Sequence, residues 1–218
     1  MKNVMNLFFS ELRKEYQQQT LHEADVAADP IAQFQKWFEQ AVAAQVAYPE
    51  AMTLASATRE GKPSARIVLL KGVDASGFSF FTNYDSRKGR ELVQNPHASL
   101  VFWWNELERQ VRVEGRIEQV SAQESNDYFR VRPRGSQIGA WASAQSAVLA
   151  SREVLEQSVN AVEERFGEGE VPRPPHWGGF RLLPHTIEFW QGRRNRLHDR
   201  IRYRLQNDGA WLLERLAP

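Results

Sequence analysis

The chain contains no cysteine in its 218 residues. Disulfide bonds, cysteine-ligated metal sites and any cofactor attached through a thiol are therefore excluded. The absence of cysteine does not by itself identify the cellular compartment.

Long apolar runs are also absent. The apolar stretch near the N-terminus, residues 7–9, is too short for the core of a signal peptide, and no window reaches the length of a membrane-spanning helix. We therefore expect a cytoplasmic protein that does not associate with membranes.

Charge of one sign is in very small excess. Lys and Arg total 28 against 27 Asp and Glu, which gives a formal net charge of +1. Because no overall field attracts nucleic acid or an anionic membrane, any basic patch must be local. A local basic patch suits a small phosphorylated ligand better than a polyanion.

Metal-ligand and dinucleotide-binding patterns are missing as well. His22, His97, His176 and His185 have no ligand spacing with one another or with clustered carboxylates, so no metal site is predicted. There is no G-x-G-x-x-G segment, which disfavours a Rossmann dinucleotide site. His198 differs from the other histidines because basic residues alternate around it.

The residues that are present make an ordinary globular composition, 42% hydrophobic and 25% charged. Seven Trp and twelve Phe suit a flat aromatic ligand, although an aromatic core or a subunit interface would account for most of them. The polar run over residues 17–20 has no apolar periodicity. We expect a mobile segment over residues 1–20, in which residues 3–16 could form a helix, followed by a single domain over residues 21–218.

Apolar spacing predicts three further helices. The first begins at Asp29-Pro30, a cap followed by proline at the first helical position. Its apolar stripe comprises Ile31, Phe34, Phe38, Ala41 and Val42. A capping box at 121–124 opens a helix that must end near Pro133. Residues 151–166 form another helix, whose apolar side is Val154, Leu155, Val159, Val162 and Phe166.

The rest of the chain reads mostly as strands. They are predicted from residue 51 onwards and over residues 64–71, 78–82, 97–104, 109–120, 179–183, 186–191, 200–205 and 211–215. Short strands in hairpin series, without regular β-α-β alternation, predict an α+β fold built on an antiparallel sheet.

Basic residues and a histidine alternate at the end of the chain. If this segment is extended, Arg196, His198 and Arg200 share one face, with Leu197 and Asp199 on the other. Two fixed cations beside an imidazole favour an anionic, planar ligand, because guanidinium groups pair bidentately with phosphate and stack on rings. A solvated, Arg-rich strand face is the plain alternative.

Arg66 and Lys71 bracket an apolar strand. Strict alternation puts them on opposite faces, which argues against both touching one phosphate. They could serve one ligand lying along the strand, or they could simply cap a buried strand.

A short helix is predicted over residues 86–94, capped by Asp85 or Ser86. Free N–H groups at its start favour a phosphate, and Arg87 and Lys88 add positive charge. A basic pair exposed on the surface is the alternative.

Tyr128 and Arg132 are four residues apart in the helix that ends near Pro133, and so share a face. Pro133 pushes Arg132 towards the following loop, in which Ser136 lies. A phenol, a guanidinium and a hydroxyl at a helix end suit a phosphate monoester. The alternative is an exposed helix C-terminus whose basic residues answer the helix dipole.

Taken together, these motifs resemble one known family. Trp190-Gln-Gly192 followed by Arg196-Leu-His-Asp-Arg200 is similar to the C-terminal signature of the pyridoxamine (pyridoxine) 5′-phosphate oxidases, which are FMN enzymes. The resemblance runs from about Leu12 to Pro218 and includes, in the same order, residues 66–71, 82–83, 86–88, 108–110, 128–141, 145–146, 176–180 and 215–218.

The resemblance implies an antiparallel split β-barrel with surrounding helices, and a homodimer with FMN bound non-covalently at the subunit interface. It also implies oxidation of pyridoxamine or pyridoxine 5′-phosphate by dioxygen to pyridoxal 5′-phosphate, with release of hydrogen peroxide and, from the amine, ammonia. A non-catalytic flavin or pyridoxal phosphate carrier, or another flavin reductase of the same fold, are the alternatives.

The resemblance also assigns residues. FMN contacts are implied at Arg66, Ile67, Val68, Lys71, Phe81, Thr82, Arg87, Lys88, Gln110, Gln145, Ser146, Trp190 and Arg200. Substrate contacts are implied at Arg13, Tyr16, Lys71, Tyr128, Arg132, Ser136, Arg196 and His198, the last two as the catalytic pair. Phe81 stands where relatives often have Tyr. His198 either positions the substrate or also moves a proton near neutral pH.

Overall fold

The protein is described by a computed structural model that covers residue 16 and residues 19–218. The helix predicted over residues 3–16, most of the segment predicted to be mobile, and Arg13 lie outside the described residues. No helix within residues 19–218 is long and apolar enough to span a membrane.

The first helix, α1 (Pro30–Ala43), begins where the sequence predicts it. The Asp29 carboxylate accepts a hydrogen bond from the Ala32 N–H at 2.8 Å, so one of the free N–H groups of the first turn is satisfied. The helix buries Phe34, Trp37 and Ala41 against the sheet. The predicted place of Val42 in this stripe is wrong, because the helix turns its side chain outwards, where it is 54% exposed.

Nine antiparallel strands form the sheet: β1 (Ala51–Ala57), β2 (Pro63–Leu69), β3 (Gly72–Asp74), β4 (Gly77–Asn83), β5 (His97–Trp104), β6 (Arg109–Gln119), β7 (Trp177–Gln191), β8 (Asp199–Leu205) and β9 (Trp211–Arg215). Their order is β2-β1-β5-β6-β7-β4-β3, and β8 and β9 branch from β7. The predicted antiparallel α+β architecture is confirmed.

Strand β7 is continuous, although two strands were predicted over residues 179–183 and 186–191. Its first part pairs with β4 and its last part with β8, while β6 pairs with it from Phe180 to Gln191. The register shifts between Glu114 and Gly115, opposite Pro184. A Cβ at Gly115 would lie 2.1 Å from the Leu183 carbonyl oxygen, so only glycine permits this approach. The irregularity lets a strand that contains proline continue.

Four more helices cover the sheet: α2 (Arg87–Gln94), α3 (Ala122–Arg130), α4 (Arg134–Ala142) and α5 (Arg152–Phe166). The predicted capping box at Ser121 and Glu124 is present. The loop predicted to carry Ser136 is instead the start of α4. Pro133 ends α3 but also stands at the N-cap of α4, where its missing N–H has no consequence for the helix.

The main core lies between α1 and the inner face of the sheet. A second, smaller apolar cluster comprises Phe129, Ile138, Val171 and Trp177. Helix α5 covers this cluster with partly buried Val159, Val162 and Phe166. It has no fully buried residue, and Val154 is 42% exposed, so the predicted apolar side of α5 is only partly used.

Candidate active site

A candidate site is an open cavity of about 650 Å³ between β2, β4 and the α3–α4 pair. Residues from all of these elements line it: Ile67, Val68, Leu69, Lys71, Phe81, Thr82, Asn83, Lys88, Tyr128, Val131, Arg132, Pro133, Ser136, Gly139, Ala140, Ser143, Gln145 and Trp177. Most of the residues to which the resemblance assigns FMN or substrate phosphate contacts are therefore in one place.

One corner of the cavity lies at the N-terminus of α2. Lys88 Nζ donates to Gln145 Oε1 at 2.6 Å and to Thr82 Oγ1 at 3.1 Å. The Arg87 N–H donates to Ser146 Oγ at 3.2 Å. Burial lowers the pKa of Lys88, and the nearby charge of Arg66 lowers it further. The positive end of the α2 helix dipole and the lysine make this corner, hereafter the α2 corner, suitable for a phosphate.

Arg66 and Lys71 occupy different environments, as alternation predicts, but Lys71 lies beyond the end of β2 rather than within the strand. Lys71 lines the cavity, and Arg66 does not. The Arg66 guanidinium lies behind the α2 corner, where it donates to Ser56 Oγ at 2.6 Å and pairs with Glu91 at 3.2 Å.

An aromatic wall closes the opposite side of the cavity. The rings of Phe81 and Tyr128 stack with their centroids 4.1 Å apart, and Trp177 lies parallel to both. The Arg132 guanidinium lies over the Trp177 ring at 4.5 Å. Arg132 follows the end of α3, so the prediction that it shares a helix face with Tyr128 is wrong, although both line the cavity.

Arg132 has an unsatisfied donor. Its Nη1 is buried and has no hydrogen-bond partner among the residues that the structure describes. Burial also lowers the pKa of this guanidinium, partly offset by the charge of Tyr128. Because a buried donor without a partner is costly, an anionic ligand in the cavity would stabilise this arrangement. Ser136, in the first turn of α4, lines the cavity beside it.

The remaining predicted residues form a separate group, hereafter the Trp190 cluster, at the far end of β7. The Trp190 ring lies 4.5 Å from that of His198, and the Tyr16 ring contacts both at 5.6 Å. Gln110 and Arg200 stand opposite Trp190 on the neighbouring strands. Arg200 Nε donates to the buried Glu188 carboxylate at 2.8 Å.

The segment before β8 is not extended, contrary to the prediction. Residues Arg194–Arg196 form a 3-10 turn, in which Asn195 and Arg196 have φ values of 56° and 61°. Alternation therefore does not set the faces of Arg196 and His198, and the strand begins only at Asp199. Asparagine adopts left-handed backbone conformations more readily than most residues, which favours a turn here.

The imidazole of His198 has a defined role in hydrogen bonding. Its Nδ1 accepts the Arg193 N–H at 3.1 Å, which leaves the proton of the neutral ring on Nε2. Burial lowers the pKa of His198, and the charge of Arg196 adds to this, while Asp199 opposes it. The ring is thus mainly a neutral donor near neutral pH.

The cavity and the Trp190 cluster are far apart in one chain. Trp177 in the cavity wall and Trp190 are 13 positions apart on β7 (190 − 177), which at about 3.3 Å per residue corresponds to roughly 40 Å of strand. No residue of the Trp190 cluster lines the cavity of the same chain.

The sequence does not predict the roles of two side chains at the site. Trp177 supports Arg132, and Glu91 holds Arg66 and Arg87. The spacing of Arg87 and Glu91, four residues apart in a helix, was a signal for the second. Nothing in the sequence pairs Trp177 with Arg132, because they meet only through the packing of α3 on β7. Within residues 19–218, no group of His, Asp or Glu is arranged to hold a metal ion.

Comparison with known proteins gives consistent results. The family model described as pyridoxamine 5′-phosphate oxidase matches residues 38–166, and that described as pyridoxine 5′-phosphate oxidase C-terminal dimerisation region matches residues 177–218. A pyridoxine/pyridoxamine 5′-phosphate oxidase from a Cyanothece species is 62% identical over 98% of this chain and 100% of its own length. One from Acaryochloris marina is 58% identical over 96% of this chain and 95% of its own.

Solved structures agree. PhzG from Burkholderia lata, in complex with tetrahydrophenazine-1-carboxylic acid, superposes with a TM-score of 0.86 at 32% identity, over 92% of this chain and 99% of that chain. A pyridoxamine 5′-phosphate oxidase-related, FMN binding protein from Nostoc punctiforme has a TM-score of 0.69 over 85% of this chain and 97% of that chain, and at 15% identity it supports the fold alone. The predicted split-barrel fold is confirmed. The chain therefore belongs to the pyridoxine/pyridoxamine 5′-phosphate oxidase family of oxidoreductases.

Proposed function

We propose that the protein oxidises pyridoxamine or pyridoxine 5′-phosphate to pyridoxal 5′-phosphate with dioxygen and bound FMN, releasing hydrogen peroxide and, from the amine, ammonia. The observation that carries this proposal is the presence of two anion-binding positions in one cavity, the α2 corner and the Arg132 guanidinium. Two such positions suit a phosphorylated cofactor beside a phosphorylated substrate.

The α2 corner fits the FMN phosphate. Lys88, Arg87, Thr82, Gln145 and Ser146 would hold it, with donors at the α2 N-terminus adding to the lysine charge. Residues 67–69 would border the flavin from β2, which is an edge strand and pairs only with β1. Bound FMN would supply the two-electron acceptor that the amino acid side chains lack.

Arg132, Tyr128, Ser136 and Lys71 would bind the substrate phosphate. The unsatisfied Nη1 of Arg132 gains a charged acceptor when the phosphate binds, which favours phosphorylated over unphosphorylated substrate. Lys71 lines the same cavity and adds a further cation.

Arg196 and His198 would position the pyridine ring, with the Nε2–H of His198 as a neutral donor. Since no residue of the Trp190 cluster lines the cavity of its own chain, the cluster would come from a second copy. A homodimer with two composite sites satisfies this requirement, and the match of residues 177–218 to a dimerisation region supports it. Trp190, Arg200 and Gln110 of this second copy would then contact FMN.

The test is direct. The purified protein is examined for bound flavin, which is released and identified by mass, and pyridoxamine 5′-phosphate is then added under air while peroxide and pyridoxal 5′-phosphate are measured. We expect FMN, and equal amounts of the two products. Bound flavin that the substrate does not reduce would indicate a carrier, and turnover only with a nicotinamide donor would indicate a reductase. Preference for tetrahydrophenazine-1-carboxylic acid over the phosphorylated substrates would contradict the proposal.

A further inference from the structure

A buried carboxylate organises the cations behind the α2 corner. The Glu91 side chain is only 5% exposed and accepts hydrogen bonds from four side chains. Ser56 and Ser64 each donate to Oε2 at 2.6 Å, Arg66 pairs with Oε2 at 3.2 Å, and Arg87 Nε donates to Oε1 at 2.8 Å.

The two serines also fix Arg66 directly. Arg66 Nη1 donates to Ser56 Oγ at 2.6 Å, and Nη2 donates to Ser64 Oγ. The carboxylate, the two hydroxyls and the guanidinium therefore form one closed network that joins β1, β2 and α2. Within it, Glu91 alone contacts both arginines, so its position sets the distance between Arg66 and Arg87.

The carboxylate stays ionised over the whole range in which the protein would work. Burial opposes its ionisation, but hydrogen bonds from Ser56, Ser64 and Arg87, with the charge of Arg66, hold its pKa at about 2. It therefore supplies a permanent negative charge among three cations, the third being Lys88, whose pKa responds to the charge of Arg66.

We infer that Glu91 is the positioning residue of the phosphate site: it holds Arg66 and Arg87 so that their charges converge, with that of Lys88, on the phosphate of the flavin. The inference rests on the proposed function, because it takes the α2 corner to bind that phosphate. Glu91 itself does not contact the ligand, since its side chain is buried and its carboxylate oxygens are engaged by the two serines and the two arginines.

A purely structural role predicts something different. If Glu91 only joined α2 to the sheet, its replacement would lower the stability of the fold and weaken the binding of any flavin, with or without a phosphate. If Glu91 instead acts through the arginines, its replacement should lower only the part of the flavin affinity that comes from the phosphate. This part is measured by the ratio of the affinities for FMN and for riboflavin.

The experiment measures this ratio in flavin-free full-length protein by titration with FMN and with riboflavin, following flavin fluorescence. Glu91→Gln keeps the size of the side chain and removes its charge, and Glu91→Ala removes the network. Glu214→Gln is the matched control, because Glu214 also pairs with two arginines, Arg202 and Arg204, on β8. Thermal melting of every variant reports the fold.

We expect Glu91→Ala to weaken FMN binding about tenfold or more, the effect of one misplaced charged contact, with riboflavin affinity changed less than about twofold. Glu91→Gln should lie between it and the wild type, and Glu214→Gln should leave the ratio unchanged. An unchanged or increased ratio in both Glu91 variants overturns the inference, as does failure of both to fold. A wild type that shows no preference for FMN over riboflavin instead overturns the phosphate site itself, and with it the proposed function.

Discussion

At the scale of single residues, the notable feature of Arg132 is a hydrogen-bond donor that has no acceptor. Its guanidinium rests on the Trp177 ring, yet its Nη1 is buried without a partner in the described part of the chain. Natural proteins rarely keep such a donor unless a ligand satisfies it. The same reasoning makes Arg132 the most informative side chain to change.

Arg132→Ala should raise the KM for pyridoxamine 5′-phosphate by the equivalent of about 1.5–3 kcal/mol, the worth of a charge-assisted hydrogen bond. The kcat should change less, because the phosphate is remote from the reacting carbon. Arg130→Ala is the control, since Arg130 is exposed and pairs with Asp127 on the surface. Steady-state kinetics with phosphorylated and unphosphorylated substrates measure KM and kcat for both variants. Equal discrimination between these substrates in Arg132→Ala and the wild type would show that the phosphate binds elsewhere.

His198 is expected to position the substrate as a neutral ring, because its titration is displaced to lower pH than that of an ordinary histidine. Its pKa is lowered by burial and by Arg196, so the neutral ring prevails in the folded state from the ordinary histidine range upwards. His198→Asn should therefore weaken substrate binding but keep the shape of the pH–rate profile above pH 6.5. Arg196→Leu should lower affinity and the rate of flavin reduction at every pH, because arginine is always charged. Single-turnover flavin reduction measures both.

One control accompanies this prediction. His185→Asn changes an exposed histidine on β7 and should leave the profile intact. Loss of one limb of the profile in His198→Asn would instead make this histidine a proton-transfer group. The lowered pKa of His198 also makes the free energy of unfolding depend on pH. The contribution of His198 to stability is present above pH 6.5 and is lost as the pH falls towards the folded pKa.

At the scale of elements, the close approach of β6 and β7 at the register shift is sensitive to a single methyl group. Gly115→Ala would place its Cβ 2.1 Å from the Leu183 carbonyl oxygen, and backbone on both strands would have to move. We expect a loss of about 1–3 kcal/mol of unfolding free energy, the usual effect of overpacking. Gly135→Ala in α4, where nothing lies within 4 Å of the added Cβ, is the control and should be neutral or stabilising. Denaturant unfolding compares the two, and equal stabilities would show that the strands can part without cost.

The elements also show which parts of the fold the sequence predicts. Local signals placed α1, α2 and the β5–β6 hairpin, because caps, turn residues and periodicity act within a few positions. These local signals mislead at two prolines. Pro133 follows one helix and starts another, and Pro184 lies within a strand that β6 accommodates by a shift in register. The turn at Arg194–Arg196 was missed because alternating charges resemble a strand face.

At the scale of the whole molecule, the outer face of the sheet near β2 and β5 suits a partner. Ile67 is 64% exposed and Trp103 is 43% exposed, and they lie beside the cavity and the Trp190 cluster respectively. Exposed apolar side chains of this size commonly mark an interface between subunits. The sequence predicts residues of both the cavity and the Trp190 cluster. It could not show that the two lie apart, because their positions depend on how β7 runs through the folded sheet.

A composite site predicts complementation between variants that bind the substrate weakly. In a dimer mixed from Arg132→Ala and His198→Asn chains, one site would carry both substitutions and the other neither. Random mixing after co-refolding should thus restore up to about a quarter of wild-type activity, since half of the dimers have one intact site of two. Peroxide formation before and after mixing measures this. No gain in activity, with mixed dimers confirmed by mass, would place both residues in the same subunit's site.

The continuity of β7 limits how the length of this chain can vary. Ile187 and Phe189 point into the core, while Glu188 and Trp190 lie on the opposite face of the sheet, so deletion of one residue between Pro184 and Trp190 would exchange the two sets. The Gly- and Pro-rich connection at residues 167–175 is exposed over residues 167–170 and carries no such alternation. Insertions and deletions in homologous chains should therefore collect in that connection, and the spacing between Trp177 and Trp190 should stay constant wherever both tryptophans serve binding sites.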